Sequence, residues 1–256
     1  MATTGRATPS RTDTSAAATR VPMDPLRKTA LVAGGFYLIT FISSIPAVFL
    51  LSPVLNHSDY IVSSGADTRV ILGCILDLIN AIAAIGSAVT LFPVVRRQHE
   101  GVALGFVTAR MFEAAVIVIG VVSLLSVVTL RQKLGGGAGT DQGSLIAIGQ
   151  SLVAVRNWTF VLGPGLVPGV NALLLGYLMY RSGLVPRLIP TLGLIGAPLL
   201  IASALAATLR DTDPIVVLTA VATVPIFVWE LSLGLWLVVK GFKPSPITAG
   251  MLAAGR

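Results

Sequence analysis

Charge is what this sequence has least of. Of its 256 residues only 11% are Asp, Glu, Lys or Arg, and the mean hydropathy is +0.87. A soluble domain carries about 25% charge, so this chain cannot clothe a water-facing surface. Cysteine is scarcer still. Cys74 stands alone, which excludes an internal disulfide and any multi-cysteine metal site, and its apolar setting reads as that of a small hydrophobe. Only two histidines occur, His57 and His99, in loops expected on opposite membrane faces, so they cannot share a metal. No G-x-S-x-G elbow, HExxH or DxxD-type pair is present. Nothing therefore points to nucleophilic or metal catalysis, and no cofactor is implied. The net charge of +7 and pI of about 10.2 come without a basic patch interleaved with aromatics, so nucleic acid is not the expected partner.

What the chain has instead is six long apolar windows. No charge occurs between Lys28 and Asp59, between Arg156 and Arg181, or between Arg187 and Arg210. Arg69–Arg96 encloses only Asp77, Asp213–Lys240 only Glu230, and Glu100–Arg131 only Arg110 and Glu113. A bilayer core about 30 Å thick needs roughly 20 apolar helical residues, and each window has room for them. The expected fold is an all-α membrane protein, a bundle of six transmembrane helices near residues 29–52, 70–94, 103–128, 157–180, 188–209 and 215–240. Residues 26–243 make that domain, between a disordered N-terminal tail (1–25), rich in Thr, Ser, Ala and Pro, and a short C-terminal tail (244–256). No short apolar core with a cleavage site precedes the first span, so the tail does not read as a secretory signal. Asp24-Pro25 opens the first helix, with Asp24 as N-cap and Pro25 at the first helical position.

Lys and Arg are unevenly shared between the two sides. Arg6, Arg11, Arg20, Arg27, Lys28, Arg96, Arg97, Arg181, Arg187, Lys240, Lys243 and Arg256 make twelve on one side; Arg69, Arg131, Lys133, Arg156 and Arg210 make five on the other. The richer side, with both termini, is expected in the cytoplasm, and the protein in the cytoplasmic membrane. Among the outer loops, LGGGAGT (134–140) lacks the GK[ST] ending of a phosphate cradle and reads as a flexible linker. Leu145, Ile148, Leu152 and Val155 recur at helical spacing after it. They suggest either a short interfacial helix or an upward extension of the fourth span. Trp158, Tyr180, Trp236 and Phe242 fall near span ends, where aromatic rings belong to the interface belt.

Asp77, Arg110, Glu113 and Glu230 are the residues that could carry chemistry. A charge in the hydrocarbon costs about 2.5–3.5 kcal/mol on the lenient insertion scale, so each must face protein or water. Arg110 and Glu113, three apart, share one helix face. At 1.5 Å per residue Arg110 sits roughly 8 Å to the inner side of the midplane, Glu113 and Glu230 roughly 4 Å, and Asp77 roughly 8 Å to the outer side. Three acids thus face one permanent cation, and at least one is expected to be protonated at neutral pH or to sit in a water-filled vestibule. Such a group equips a proton relay. The alternative is a structural clasp, in which the charges fix helix packing and move nothing.

The second oddity is the run around Gly163, Pro164, Gly165, Pro168 and Gly169 in the fourth span. Two prolines remove backbone donors and loosen the ladder. This is either a break of the kind that lines transporter sites or a kink with Gly165 and Gly169 as a close-packing face. Asn171, just beyond it, needs a partner in either case.

LRKTALVAGGFYLIT in the first span, TARMFEAAV in the third, LLLGYLMYRSGLVPRLIPTLGLIG across the fourth and fifth, and WELSLGLWLVVKGF in the sixth together resemble an uncharacterised bacterial multi-pass family, domain of unknown function 4386. The resemblance runs from about Leu26 to Phe242 and implies six or so membrane helices, with no activity, substrate or catalytic residue attached. Arg110 and Glu113 match its R-x-x-E pattern, and Glu230 its acid ahead of the last tryptophan. Two functions are then in view. One is a small carrier or proton-linked permease, with Asp77, Glu113 and Glu230 as working carboxylates, Arg110 as counter-ion and a small molecule or ion as ligand. The other is a non-catalytic membrane component, such as a partner subunit or an assembly or stress-response factor. An intramembrane enzyme acting on lipid is a third and weaker reading. Six spans permit a three-plus-three inverted repeat, but the halves share no sequence echo.

Overall fold

The computed structural model describes residues 23–63, 65, 67–134, 141–209 and 213–249. Seven helices account for most of them: α1 (Pro25–Asn56), α2 (Asp67–Val95), α3 (Glu100–Leu134), α4 (Gln142–Leu162), α5 (Val167–Ser182), α6 (Leu188–Leu209) and α7 (Asp213–Val239). Six segments are long and apolar enough to cross a membrane, α4 and α5 together making the fourth. The chain is thus an all-α, multi-pass membrane protein. Large apolar side chains such as Ile42, Phe49, Ile82, Val122 and Val221 lie on its outside. A water-soluble monomer does not carry such a surface, whereas lipid tails solvate it.

Helix ends follow from local chemistry. Asp24 caps α1, its Oδ1 accepting from the Leu26 amide at 3.0 Å, with Pro25 in the first turn. Asp141 caps α4 through the amides of Gly143 and Ser144, both at 3.2 Å. The Ser144 hydroxyl and these amides hold its carboxyl below the usual carboxylate range. Arg27 reaches across to the C-terminus of α7, donating to the carbonyls of Leu237 (2.9 Å), Val238 (2.6 Å) and Val239 (3.3 Å). A guanidinium suits that end of the helix dipole. On the far side the loop after α1 is pinned to α2 and α3: Tyr60 donates to Asp67 at 2.8 Å, Arg131 pairs with Asp67, and Arg131 Nε donates to the Ser63 carbonyl at 2.8 Å. Burial, then the bond to Asp67, pushes the Tyr60 hydroxyl well above its ordinary value, which keeps it a donor.

The spans form a ring in chain order, and α7 closes on α1. All turns between α2 and α3 and between α5 and α6 lie on the side of the described termini and are tight. On that side one apolar cluster draws on every span, from Ala30 and Tyr37 through Leu91, Phe106, Leu175 and Leu200 to Trp229 and Leu237. On the far side a second cluster is built from α1, α2, α3, α4 and the loop after α1, with Leu51, Ile61, Val70, Leu124 and Leu145, and among the described residues α6 and α7 do not enter it.

Several sequence expectations meet their outcome here. Residues 142–156 are an unbroken upward extension of the fourth span, not a separate interfacial helix. Most of the expected N-terminal tail, the GGGAGT run (135–140) and the last residues of the chain lie outside the described residues. Cys74 is a buried free thiol, and both histidines are exposed; His99 Nδ1 accepts from the Val102 amide at the start of α3.

Helices in lipid associate through close packing at small residues, and Gly34 is such a point. A methyl group there would meet the Gly234 carbonyl and Val238 at 2.8 Å and Leu237 at 2.9 Å, all on α7, while one on Gly35 would meet nothing within 4 Å. Gly34→Ala should therefore destabilise the detergent-purified protein by about 1–3 kcal/mol. Gly35→Ala should leave thermal unfolding unchanged or raise stability by up to about 1 kcal/mol. Equal effects at the two positions would contradict the α1–α7 seam.

Candidate functional site

Where the inner cluster ends, four helices place polar side chains against one another. Arg110 on α3 is 3% exposed, and Glu113, one turn further, 5%. Arg110 Nη1 donates to Glu113 Oε2 at 3.1 Å, and its Nη2 donates to the Tyr37 hydroxyl on α1 at 3.3 Å and to Glu230 on α7. Asn171, on α5, donates from Nδ2 to Glu113 Oε2 at 2.8 Å. The rings of Tyr37 and Phe106 flank the guanidinium, 5.3 and 5.9 Å from their centroids, in reach of a cation–π contribution. Glu230 keeps 14% of its side chain accessible. Arg110 Nε and Asn171 Oδ1 are buried without a hydrogen bond, a state few polar atoms in folded proteins occupy.

Asp77 does not belong to this cluster. It pairs with Arg156 on α4, Nη2 to Oδ2 at 3.0 Å, with both residues buried. The expectation of one network, with three acids on one cation, is corrected to two sites, with two cations. The cause is the length of α4. Reading the fourth span as the charge-free window placed Arg156 at its outer edge, but α4 begins at Gln142 and carries Arg156 into the bundle. There the Phe160 ring lies 5.2 Å from its guanidinium. Gly120 on α3 makes room: a methyl group there would meet Thr159 Oγ1 at 2.6 Å and Arg156 Cδ at 2.9 Å.

The fourth span is interrupted. α4 stops at Leu162 and α5 starts at Val167, with Gly163 at φ −87°, ψ −96° between them. The Gly165 amide bonds the Phe160 carbonyl, five residues back, and the Val167 amide bonds Gly163. The pair Gly165/Gly169 is not one packing face. A methyl on Gly165, in the turn, would strike the Val161 carbonyl of α4 at 2.6 Å, and one on Gly169 would strike Ile201 of α6 at 2.8 Å.

The break and the charges share a half-open cleft of about 180 Å³. Arg110, Glu113 and Glu230 line its floor region together with Pro164 and Pro168; Thr40, Phe41 and Ser44 come from α1, Asn80 from α2, and Thr223 and Phe227 from α7. Phe41 and Phe227 meet edge to face at 4.9 Å. No group of three metal-ligating side chains occurs among the described residues.

A family model described as "Domain of unknown function (DUF4386)" matches residues 32–241, which include every residue of the cleft. The chain belongs to this family. No curated protein and no solved structure matches the chain. For this DUF4386 member the chemistry must be read from its own residues. A fixed guanidinium, two carboxylates, an amide and several hydroxyls beside a helix break can bind a small charged solute or a proton. Sequence reasoning missed Tyr37, Arg156 and the hydroxyl lining. Only Arg156 left a signal, as a cation at helical spacing from the apolar Leu145–Leu152 stripe.

Two separate sites predict separate energetics. Asp77→Asn and Arg156→Gln should each destabilise by about 3 kcal/mol, the cost of stranding one buried partner, and the double variant should cost less than their sum by more than about 0.5 kcal/mol. Asp77→Asn combined with Glu230→Gln should be additive within about 0.5 kcal/mol. Unfolding in detergent measures both cycles; strong coupling between Asp77 and Glu230 would restore a single network.

Proposed function

We propose that this multi-pass membrane protein is a small carrier, a proton-linked permease working through Glu113 and Glu230. The observation that carries the reading is the convergence of Arg110, both carboxylates and the prolines of the helix break on one half-open cleft. Arg110 holds one positive charge against two acids. Protonation of either carboxylate leaves the other to neutralise Arg110, so uptake of one proton takes the cluster from a net charge of −1, its extra carboxylate turned to the cleft, to zero. Ligand and proton then compete for the same oxygens, which couples them. The turn between Leu162 and Val167 serves as the hinge, because its prolines and glycines already interrupt the helical ladder there. Twelve Lys and Arg on the termini side against a poorer far side support cytoplasmic termini and the cytoplasmic membrane.

The alternative is a membrane component in which the charges are a clasp. It is favoured by Arg110 engaging α3, α1 and α7 at once, through Glu113, Tyr37 and Glu230. Proteoliposomes loaded with a pH-indicating dye separate the two. Single solutes from a panel of amines, carboxylates, sugars and metal salts are added outside, with protein-free vesicles as the baseline. A carrier gives a solute-dependent pH change that falls at least about tenfold in Glu230→Gln, the loss of a charge-assisted bond. If no solute exceeds the baseline while Glu230→Gln melts far below the wild type, the carrier reading is wrong and the clasp stands.

A further inference from the structure

The polar lining of the cleft leans towards acceptors, although Ser44 and Asn80 also bring donor hydrogens to it. Glu113 receives its two bonds on Oε2, and Glu230 is bonded on Oε1. Among the described residues Glu113 Oε1 and Glu230 Oε2 receive none, and neither is among the atoms sealed from solvent without a partner. Thr40 spends its hydroxyl hydrogen on the Tyr37 carbonyl at 2.6 Å, and Thr223 spends its own on the Thr219 carbonyl at 2.8 Å. Each therefore offers lone pairs to the cleft. Arg110, the one cation in the lining among the described residues, already engages both carboxylates and Tyr37, and its unbonded Nε is sealed from solvent. Counted as ionised, Arg110, Glu113 and Glu230 sum to −1. An acceptor-rich, net-negative cleft selects a donor-rich cation.

The remaining wall decides which kind. Phe41 and Phe227 are part of the lining, and aromatic rings attract an alkylated ammonium but are not among the oxygen ligands that a metal ion such as calcium or magnesium requires. A volume of about 180 Å³ lies below the roughly 300–1,000 Å³ of drug-sized sites. We propose that the cleft binds a small organic ammonium ion, held by the free oxygens of Glu230 and Glu113 and flanked by Phe227. This names the ligand class of the carrier reading and rests on the same cleft.

Equilibrium binding to the full chain in detergent tests it, with methylammonium, ethylammonium and benzylammonium chlorides against sodium chloride and sodium acetate at matched ionic strength. Saturable binding of at least one ammonium is expected, weakened at least about tenfold in Glu230→Gln and about two- to fivefold in Phe227→Leu. Phe227 is 40% exposed, so its variant tests the site even if Glu230→Gln fails to fold. Saturation by acetate or sodium instead of ammonium overturns the proposal, as does an absence of any ammonium binding or an affinity unchanged in both variants. Ammonium binding without solute-driven flux in vesicles would sustain the site and sink only the carrier reading. Flux of a carboxylate with no ammonium binding would do the reverse.

Discussion

Arg110 sets the terms for the middle of this protein. A guanidinium keeps its charge at any accessible pH, and at 3% exposure it cannot be left to water. It needs acceptors from protein, and three helices besides its own converge on the cluster to supply them: α7 with Glu230, α1 with Tyr37, and α5 through Asn171 on Glu113. The ring of spans is therefore closed at this level by directional polar contacts, where apolar packing alone would fix neither register nor rotation. Lipid gives little hydrophobic driving force between helices. That makes the polar contacts and the close approach at Gly34 the specifying elements of the α1–α7 seam.

The same layer divides the bundle into unlike halves. Below it every span contributes to one apolar cluster; above it, among the described residues, α6 and α7 do not enter the second cluster and α4 packs chiefly on α3. Three of the twenty-one residues of α4 are buried, and one of these is Arg156. Its attachment runs through the Asp77 pair, the bond from Ser123 to the Leu152 carbonyl, the niche at Gly120 and the packing of Leu145, Ile146, Leu152 and Val153 in the second cluster. A segment with so few buried residues, joined to its continuation by a turn, is easier to displace than one held by a broad apolar face.

Much of the fold was legible because its cause is compositional. Six apolar windows of about twenty residues, each with few or no charges, are read as spans across a bilayer. Asp24 and Pro25 marked the start of α1 through local capping chemistry. The site was legible only in part. Arg110 and Glu113 are three apart on one helix, so their contact follows from helical geometry. Arg110 to Glu230 required only that α3 and α7 approach at similar depth. Asp77 was misassigned for a definite reason: membrane depth says nothing about azimuth, and a residue on α2 can turn towards α4 as readily as towards α7. The length of α4 was left between two readings because its upper part is too polar to register as membrane-spanning. The lining hydroxyls were invisible because threonines and serines that bond their own helix leave no pattern in sequence.

On the carrier reading, the two ion pairs have different work to do. Arg110 is bonded to both Glu113 and Glu230, so a ligand that draws on one carboxylate leaves the guanidinium with the other, and the inner closure of the bundle survives occupancy. Asp77 and Arg156 have no such reserve. Each is the other's salt-bridge partner, and Arg156 Nε has no hydrogen bond at all. Movement of α4 about the turn at Gly163 would separate them, and the cost of separation would keep the far side in the arrangement described until something compensates for it. Pro164 and Pro168 line the cleft at the base of that same turn, so a ligand there would bear on the hinge. On the carrier reading the cluster at Arg110 would then provide affinity, and the pair on α2 and α4 would set how strongly the ligand must bind before the arm moves.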